Sequence, residues 1–288
     1  MTVTARHNPV DVLRYASFTN GADGGNPAGV VLAADGLDDE AMQAIAAEVG
    51  YSESAFLFDD GPTHHRRIRY FSPLAEVAFC GHATIALAVA HAERHGEGRL
   101  ILETRAGRVV VDMVKSGHGF AAMFRSVPPQ VTSFVDADLD EALAALGWSR
   151  GDLDETLPPR VASAGNLHPV IAVRARQLLT DLDYDFDALG AVMARCDWTT
   201  VQLIWRESDS RFHSRNPFPP GGLYEDPATG AAAPAFGGYL RALSLVSPPA
   251  RITIEQGLEM GRPSTITIDI PPESGSGILI SGTGVEIR

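Results

Sequence analysis

Lysine is nearly absent from this chain: Lys115 is the only one, and the other basic side chains among the 23 Lys and Arg are arginines scattered along 288 residues. With 36 acidic residues the formal net charge is −13. Such a chain repels a polyanion at long range, and no basic run reverses that locally, so nucleic acid and polybasic membrane binding are excluded. Cysteine is as sparse, and Cys80 and Cys196 cannot make a disulfide framework. No window approaches the roughly 18 apolar residues of a membrane span. The opening residues, MTVTARHNPVDVLRYASF, carry no apolar segment ahead of a small-residue cleavage site. The expectation is a cytoplasmic protein with no membrane contact.

Signature loops are missing too. There is no GxGxxG, Walker or GxSxG segment, and Lys115, in a strand-end context before Ser116-Gly117, does not read as a Schiff-base lysine. The tail glycines at Gly275, Gly277, Gly282 and Gly284 have neither a following lysine nor a helix, so they read as turns. No cofactor and no metal centre are expected.

What is present is an ordinary globular balance, 45% hydrophobic and 20% charged, in a length that suits two modest domains. The chain also repeats itself. Gly25-Asn26 followed by Val30-Val31 recurs as Gly165-Asn166 followed by Val170-Ile171. The helix-patterned stretch from Asp38 to Val49, running into Ala55-Phe56-Leu57-Phe58, recurs as Asp185 to Cys196 running into Val201 to Trp205. Phe71 falls on Phe218 and Pro73 on Pro220, and each leads to a Gly/Thr-bearing turn ahead of an Ala-rich helix. Leu102-Glu103 then matches Ile254-Glu255, and Gly107-Arg108 matches Gly261-Arg262. The offset only grows along the chain, as two copies separated by small insertions require.

Alternating β-branched segments such as Leu100-Ile101-Leu102, Val109-Val110-Val111, Ile252-Thr253-Ile254 and Ile266-Thr267-Ile268 flank each helix, which makes an α+β chain. Ser126 to Pro129 reads as a linker and Pro271 to Gly275 as a second break; Ile278 to Ile287 is one more strand, free to return to the first copy. The expected domains are 1–127 plus 277–288, and 128–276.

The two helix-opening turns are where chemistry can sit. Pro234 is tolerable only in the first turn of a helix, so that helix starts no earlier than about Ala231. The N–H groups from Gly230 to Ala233 are then expected to lack intrahelical partners at the positive end of the dipole, ready for a carboxylate or phosphate. The first turn, Cys80-Gly81-His82-Ala83-Thr84, opens the helix that Gly96 stops. Comparison of the copies separates scaffold from function. Glu53 has Thr200 as its counterpart, Asp226 has Phe79, and His82 has Thr229, so each copy carries titratable groups that the other lacks. A carboxylate beside a half-buried strand is a candidate general acid/base. The plainer alternatives are a helix-capping Asp226, a solvent-facing Glu53 and a satisfied core His82.

Other groups carry less. His91 and His95 have the i, i+4 spacing of a metal pair, but HAERH lacks the glutamate of HExxH and no third ligand is evident, so a solvated helix end is expected. His64-His65-Arg66-Arg67 reads as a polar connection between strands. Cys80 could act as a thiol acid/base, but Cys196 lies in the wrong segment to be its partner in a two-thiol racemase.

Taken together, Gly25-Asn26-Pro27-Ala28-Gly29-Val30-Val31, Glu48 to Phe56, Arg69 to Pro73, Glu76, Phe79 to Thr84, Asp226 to Gly230, Gln256-Gly257 and Met260 to Ser264 resemble the PhzF-like isomerases of phenazine biosynthesis. The resemblance runs in order over essentially the whole chain. It implies a diaminopimelate-epimerase-like fold: two pseudo-symmetric halves, each a curved, mostly antiparallel sheet wrapped around a central helix, with the active site in the cleft between them. It also implies a cofactor-free isomerase in which Glu53 shuttles a proton between carbons, His82 and Asp226 bind and orient the substrate, and the turns at Gly81, Ala83, Thr229, Gly230 and Ala231 hold its carboxylate. A homodimer and a substrate like dihydro-hydroxyanthranilate are implied by the resemblance alone. The chain departs from the family where Ala231 replaces the usual serine, where Pro234 follows, and where Ser54 replaces threonine after the glutamate. An amino-acid racemase or epimerase of the same fold, and a non-catalytic small-molecule binding protein, are the alternative readings.

Overall fold

The computed structural model describes residues 2–5, 8–59, 64–117 and 119–287. By contacts the chain divides into two compact units, residues 1–125 with 281–288, and residues 126–280.

The first unit runs β1 (Thr2–Ala5), β2 (Asn8–Asp11), β3 (Leu13–Ser17), β4 (Asn26–Val31), α1 (Asp39–Val49), β5 (Glu53–Phe58), β6 (His65–Phe71), β7 (Glu76–Val77), α2 (Gly81–His95), β8 (Gly98–Thr104), β9 (Gly107–Ser116) and β10 (Gly119–Arg125). In its main sheet the strands are ordered β10-β9-β8-β6-β5-β4-β3, with β4–β5 and β6–β8 parallel and the other neighbours antiparallel. Each parallel pair is the product of a helical crossover, α1 in one case and α2 in the other. Helix α2 packs against β3, β4, β5, β9 and β10, and its residues from Gly81 to Ala90 are buried without a break. From Ile85 to Ala90 the helix carries Ala, Val, Leu and Ile on all sides and has no polar face to give to solvent, so the sheet wraps around it. Helix α1 is amphipathic and covers the sheet's other face, where Met42, Ile45 and Ala46 meet Val31, Phe56, Phe58 and Phe71. Asp38 caps it through the N–H of Ala41, and Gly50 ends it at φ 71°.

The second unit runs β11 (Gln130–Ser133), α3 (Asp136–Ala145), β12 (Arg160–Ser163), β13 (Leu167–Ala172), α4 (Arg176–Thr180), α5 (Phe186–Cys196), β14 (Gln202–Arg206), β15 (Arg211–Arg215), β16 (Pro217–Phe218), β17 (Leu223–Glu225), α6 (Ala232–Ala242), β18 (Ala250–Gln256) and β19 (Ser264–Ile270). Its sheet order, β11-β12-β13-β14-β15-β18-β19, has the same two parallel pairs at the same two crossovers, β13–β14 around α5 and β15–β18 around α6. The register agrees with the sequence repeat as well: Val30 faces Ala55 in the first unit, and their counterparts Val170 and Gln202 face each other in the second. Helix α6 is the buried central helix here, packed on β11, β12, β13 and β19. Helices α3 and α4 have no counterpart among the described residues of the first unit, and the sequence repeat does not announce them. Helix α3 joins α5 in a core of Leu139, Ala142, Leu143, Leu189, Val192, Met193 and Trp198, and the apolar i, i+3, i+4 spacing of its residues is the signal that could have announced it.

The last strand, β20 (Leu279–Glu286), returns to the first unit: Gly284, Val285 and Glu286 pair antiparallel with Ser17, Ala16 and Tyr15. It also pairs with β10, so that unit's sheet closes on itself around α2. The fold is α+β, as the sequence implied. Two local expectations fail. His65, Arg66 and Arg67 belong to β6, paired with Ile101, Leu102 and Glu103, rather than to a connection. His91 is half-buried rather than solvated, its ring tilted 38° against that of His95 with centroids 4.4 Å apart.

Candidate active site

In the first unit Glu53, Cys80 and His82 come from two elements that the fold forces together. The left-handed Gly50 lets the chain reverse out of α1, and three residues later β5 begins with Glu53, beside Ala28 of β4. Cys80 is the extended residue that caps α2 without a side-chain hydrogen bond, and His82 lies in the first turn. That turn is anchored from below: the Thr84 hydroxyl donates to the Cys80 carbonyl at 2.6 Å and meets the Tyr70 hydroxyl at 2.7 Å. Phe79 packs edge-on against Tyr70 and Phe124.

The three side chains meet. Glu53 Oε2 is 3.5 Å from His82 Nε2 and 3.6 Å from Cys80 Sγ. Cys80 Sγ is 3.3 Å from His82 Nδ1, and the Ser52 hydroxyl is 3.4 Å from Nε2. Side-chain exposure is 6% for His82 and 16% for Glu53, so the pair is largely out of solvent. Burial pushes the His82 pKa below the ordinary histidine value, and the Glu53 carboxylate opposes that shift. The imidazole therefore enters neutral solution uncharged, able to donate from one nitrogen and accept at the other.

In the second unit Asp226 follows the strand β17, and its N–H donates to the Asn216 carbonyl at 3.0 Å. Its carboxylate accepts from the Thr229 hydroxyl at 2.7 Å. Gln256, at the end of β18, clamps the loop: its amide donates to the Asp226 carbonyl at 2.7 Å and to Thr229 Oγ1 at 3.0 Å, and its Oε1 accepts from the Thr229 N–H at 3.2 Å. The next residue must be glycine. Gly257 has φ +74°, and a Cβ there would lie 2.4 Å from the Arg262 carbonyl and 2.7 Å from that of Pro227. Immediately before Asp226, Glu225 receives both arms of Arg215 at 2.8 and 2.7 Å in a buried fork-to-fork pair. Arg215, Asn216 and Gln256 hold Asp226 in place, and the sequence reading assigned none of them that role. The Gln-Gly pair at a turn was the available signal.

Helix α6 starts at Ala232, with Ala231 as its uncapped N-cap and Pro234 in the first turn. Two of the four N–H groups expected to be open are paired. The N–H groups of Ala232 and Ala233 both donate to the Thr229 carbonyl, at 3.1 and 3.2 Å, because the chain enters the helix through a tight turn. The expectation of open donors from Gly230 to Ala233 thus narrows to Gly230 and Ala231. In the position corresponding to Glu53, Thr200 is buried among neutral partners, with His168 Nδ1 at 2.9 Å and the Asn216 amide donating to it at 3.2 Å.

A carboxylate 3.5 Å from a neutral imidazole at the start of a buried helix is an arrangement chemically able to take up and release a proton. The family profile described as phenazine biosynthesis-like protein matches residues 15–288. The chain belongs to this family, PhzC-PhzF, and is an enzyme of the isomerase class. It is 36% identical over 276 residues to an uncharacterized isomerase of Mesorhizobium japonicum, covering 91% of each chain. It is 30% identical over 263 residues to the trans-2,3-dihydro-3-hydroxyanthranilate isomerase of Pseudomonas aeruginosa, covering 90% of this chain and 91% of that one. Among solved structures, a PhzF-family phenazine biosynthesis protein of Bacillus anthracis superposes with a TM-score of 0.88 at 28% identity, covering 97% of each chain. A hydroxyproline epimerase of Agrobacterium vitis shares the fold, with a TM-score of 0.64 at 15% identity over 96% of this chain and 88% of that one.

Proposed function

We propose that this isomerase moves a proton between two carbons of a small, carboxylate-bearing molecule, with Glu53 as the group that takes the proton and returns it. What supports the reading is the contact of Glu53 with a buried imidazole, 3.5 Å away, both side chains being largely out of solvent. The carboxylate of Glu53 accepts the proton from a substrate carbon. The protonated acid then delivers it to another carbon, and no external acid, base or cofactor is consumed. His82, with Nε2 3.5 Å from the Glu53 carboxylate, gives its single N–H to that group and orients it, and its ring helps to bind and position the substrate. Asp226, held by Thr229 and its loop, binds and orients a polar substituent. The first-turn N–H groups of Gly81, His82 and Ala83, and those of Gly230 and Ala231, are donors for the substrate's carboxylate. A ring like that of dihydro-hydroxyanthranilate, the substrate named for the Pseudomonas relative, is the first substrate to assay. A cytoplasmic homodimer is the proposed working form.

The test is Glu53→Gln, which keeps size and hydrogen bonding but cannot accept a proton. It should lower turnover by roughly two to four orders of magnitude. Near-wild-type turnover in a folded variant would overturn the reading.

A further inference from the structure

Glu53, Cys80 and His82 each offer one ligating atom, and these atoms lie within 4.8 Å of one another. We propose that the three side chains bind a single thiophilic divalent cation, zinc above all, as an inhibitor of the site and not as its cofactor. This goes against the sequence reading, which assigned no metal to the chain. Metal binding stands apart from the proposed proton transfer; only its inhibitory effect rests on that reading.

The geometry is close to what such an ion needs. A tetrahedral centre with zinc about 2.3 Å from sulfur and about 2.0 Å from nitrogen and oxygen sets its ligand atoms roughly 3.3–3.5 Å apart. Here Glu53 Oε2 and His82 Nε2 are 3.5 Å apart, Glu53 Oε2 and Cys80 Sγ 3.6 Å, and Cys80 Sγ and His82 Nε2 3.9 Å. Closing the triangle on an ion takes contractions of a few tenths of an ångström together with a turn of the His82 ring, because Cys80 Sγ lies nearer Nδ1, at 3.3 Å, than Nε2. Two of the three backbone positions are fixed within one helical turn, since Cys80 caps α2 and His82 lies just inside it.

Charge points the same way. Binding Zn²⁺ releases the proton of the Cys80 thiol to water, forms the Zn–S bond and leaves one thiolate, one carboxylate and one neutral imidazole around a doubly positive ion. The complex is neutral: Zn²⁺ enters as one proton leaves, and the exchange cancels the carboxylate's charge in largely buried surroundings. Three protein ligands leave a fourth position for water or a substrate atom, the pattern of an open site. The other histidine pair, His91 and His95, brings no thiol or carboxylate into such a group among the described residues. Occupying the lone pairs of Glu53 removes the base, and that is the expected route of inhibition.

The experiment uses the full, reduced chain titrated with Co²⁺ and followed by absorbance. The expected result is a thiolate-to-cobalt charge-transfer band in the near ultraviolet, with intense visible bands of a tetrahedral centre, saturating at one ion per chain and abolished by stoichiometric Zn²⁺. Cys80→Ser should remove the charge-transfer band. His82→Gln should weaken Zn²⁺ binding by at least the roughly 10- to 100-fold typical of disturbing the surroundings of a metal ligand. Circular dichroism and thermal unfolding establish that each variant is folded. No charge-transfer band at saturating Co²⁺, or a band that survives Cys80→Ser, would overturn the proposal, as would binding lost in His91→Ala but not in the site variants. None of these readouts requires turnover, so a failure of the proton-transfer reading in Glu53→Gln would leave the metal result standing.

Discussion

Glu53 Oε2 lies 3.5 Å from Nε2 of His82, and the imidazole is the more buried of the two. The neutral histidine can share a hydrogen with the carboxylate without competing with it for a proton, because its own proton affinity has been lowered by burial. Their roles should therefore separate on mutation. His82→Gln keeps a hydrogen-bonding amide beside Glu53, so steady-state kinetics should show a smaller loss of kcat than Glu53→Gln. Equal losses would mean that the imidazole itself carries the proton.

Proton traffic through a carboxylate leaves an isotopic trace. Once Glu53 holds the substrate's proton, exchange with water competes with its return, so turnover in D2O should place deuterium in the product, in part or in full. Mass spectrometry of the product measures it. Product free of deuterium, together with full activity of Glu53→Gln, would exclude the carboxylate as carrier.

Acid should destabilise the fold in a defined window. His168 is fully buried, with its pKa pushed down from 6.5 to about 4 by desolvation; His91 is lowered to about 4 and His82 is lowered as well. In the unfolded chain each binds a proton near its ordinary pKa of 6.5, so between about pH 6.5 and 4 the unfolded state holds more protons than the folded one. Stability is then fully present above about pH 6.5 and falls as pH drops through that window. Urea midpoints measured from pH 7 to 4.5 should decline, and His168→Leu should flatten the decline whatever it does to stability at pH 7. An unchanged slope in that variant would mean that His168 does not contribute.

The buried pair of Arg215 and Glu225 supports the Asp226 loop. Arg215→Met strands the Glu225 carboxylate in the interior, which should cost about 3–5 kcal/mol in denaturant unfolding. Arg215→Met with Glu225→Leu should recover most of it, because two apolar side chains replace both charges. A double variant no more stable than the single one would show that the pair's geometry, rather than its charge balance, holds the loop.

Ala231 stands at the N-cap of α6 without a side-chain hydrogen bond. Ala231→Ser adds a hydroxyl beside the N–H groups of Gly230 and Ala231. If a substrate carboxylate sits there, binding should tighten by on the order of 1 kcal/mol, the net worth of one hydrogen bond. Calorimetry with a small carboxylate checks it, and an unchanged affinity would show that the position does not contact ligand.

Much of the architecture was legible in the chain. The repeat aligned Val30 with Val170 and Ala55 with Gln202, and the parallel registers place those residues opposite one another within each unit. Asp38, Asp185 and Gly50 marked helix ends, because capping is decided by neighbours three or four residues away. Pro234 placed the start of α6 to within a residue, since a missing N–H is tolerated only in the first turn. The candidates Glu53, His82 and Asp226 were visible as charges that one copy has and the other lacks. Their partners were not. Cys80 and His82 meet Glu53 only because a parallel crossover brings the start of β5 beside the start of α2, about which spacing along the chain says nothing. Arg215 with Glu225, Gln256 with Thr229, and His168 with Thr200 are likewise joined through loops and sheet register. Local pattern determined the elements and their order. The tertiary structure alone decided which polar groups share a buried pocket, because a buried polar group must find its partners among whatever the packed strands bring within about 3 Å.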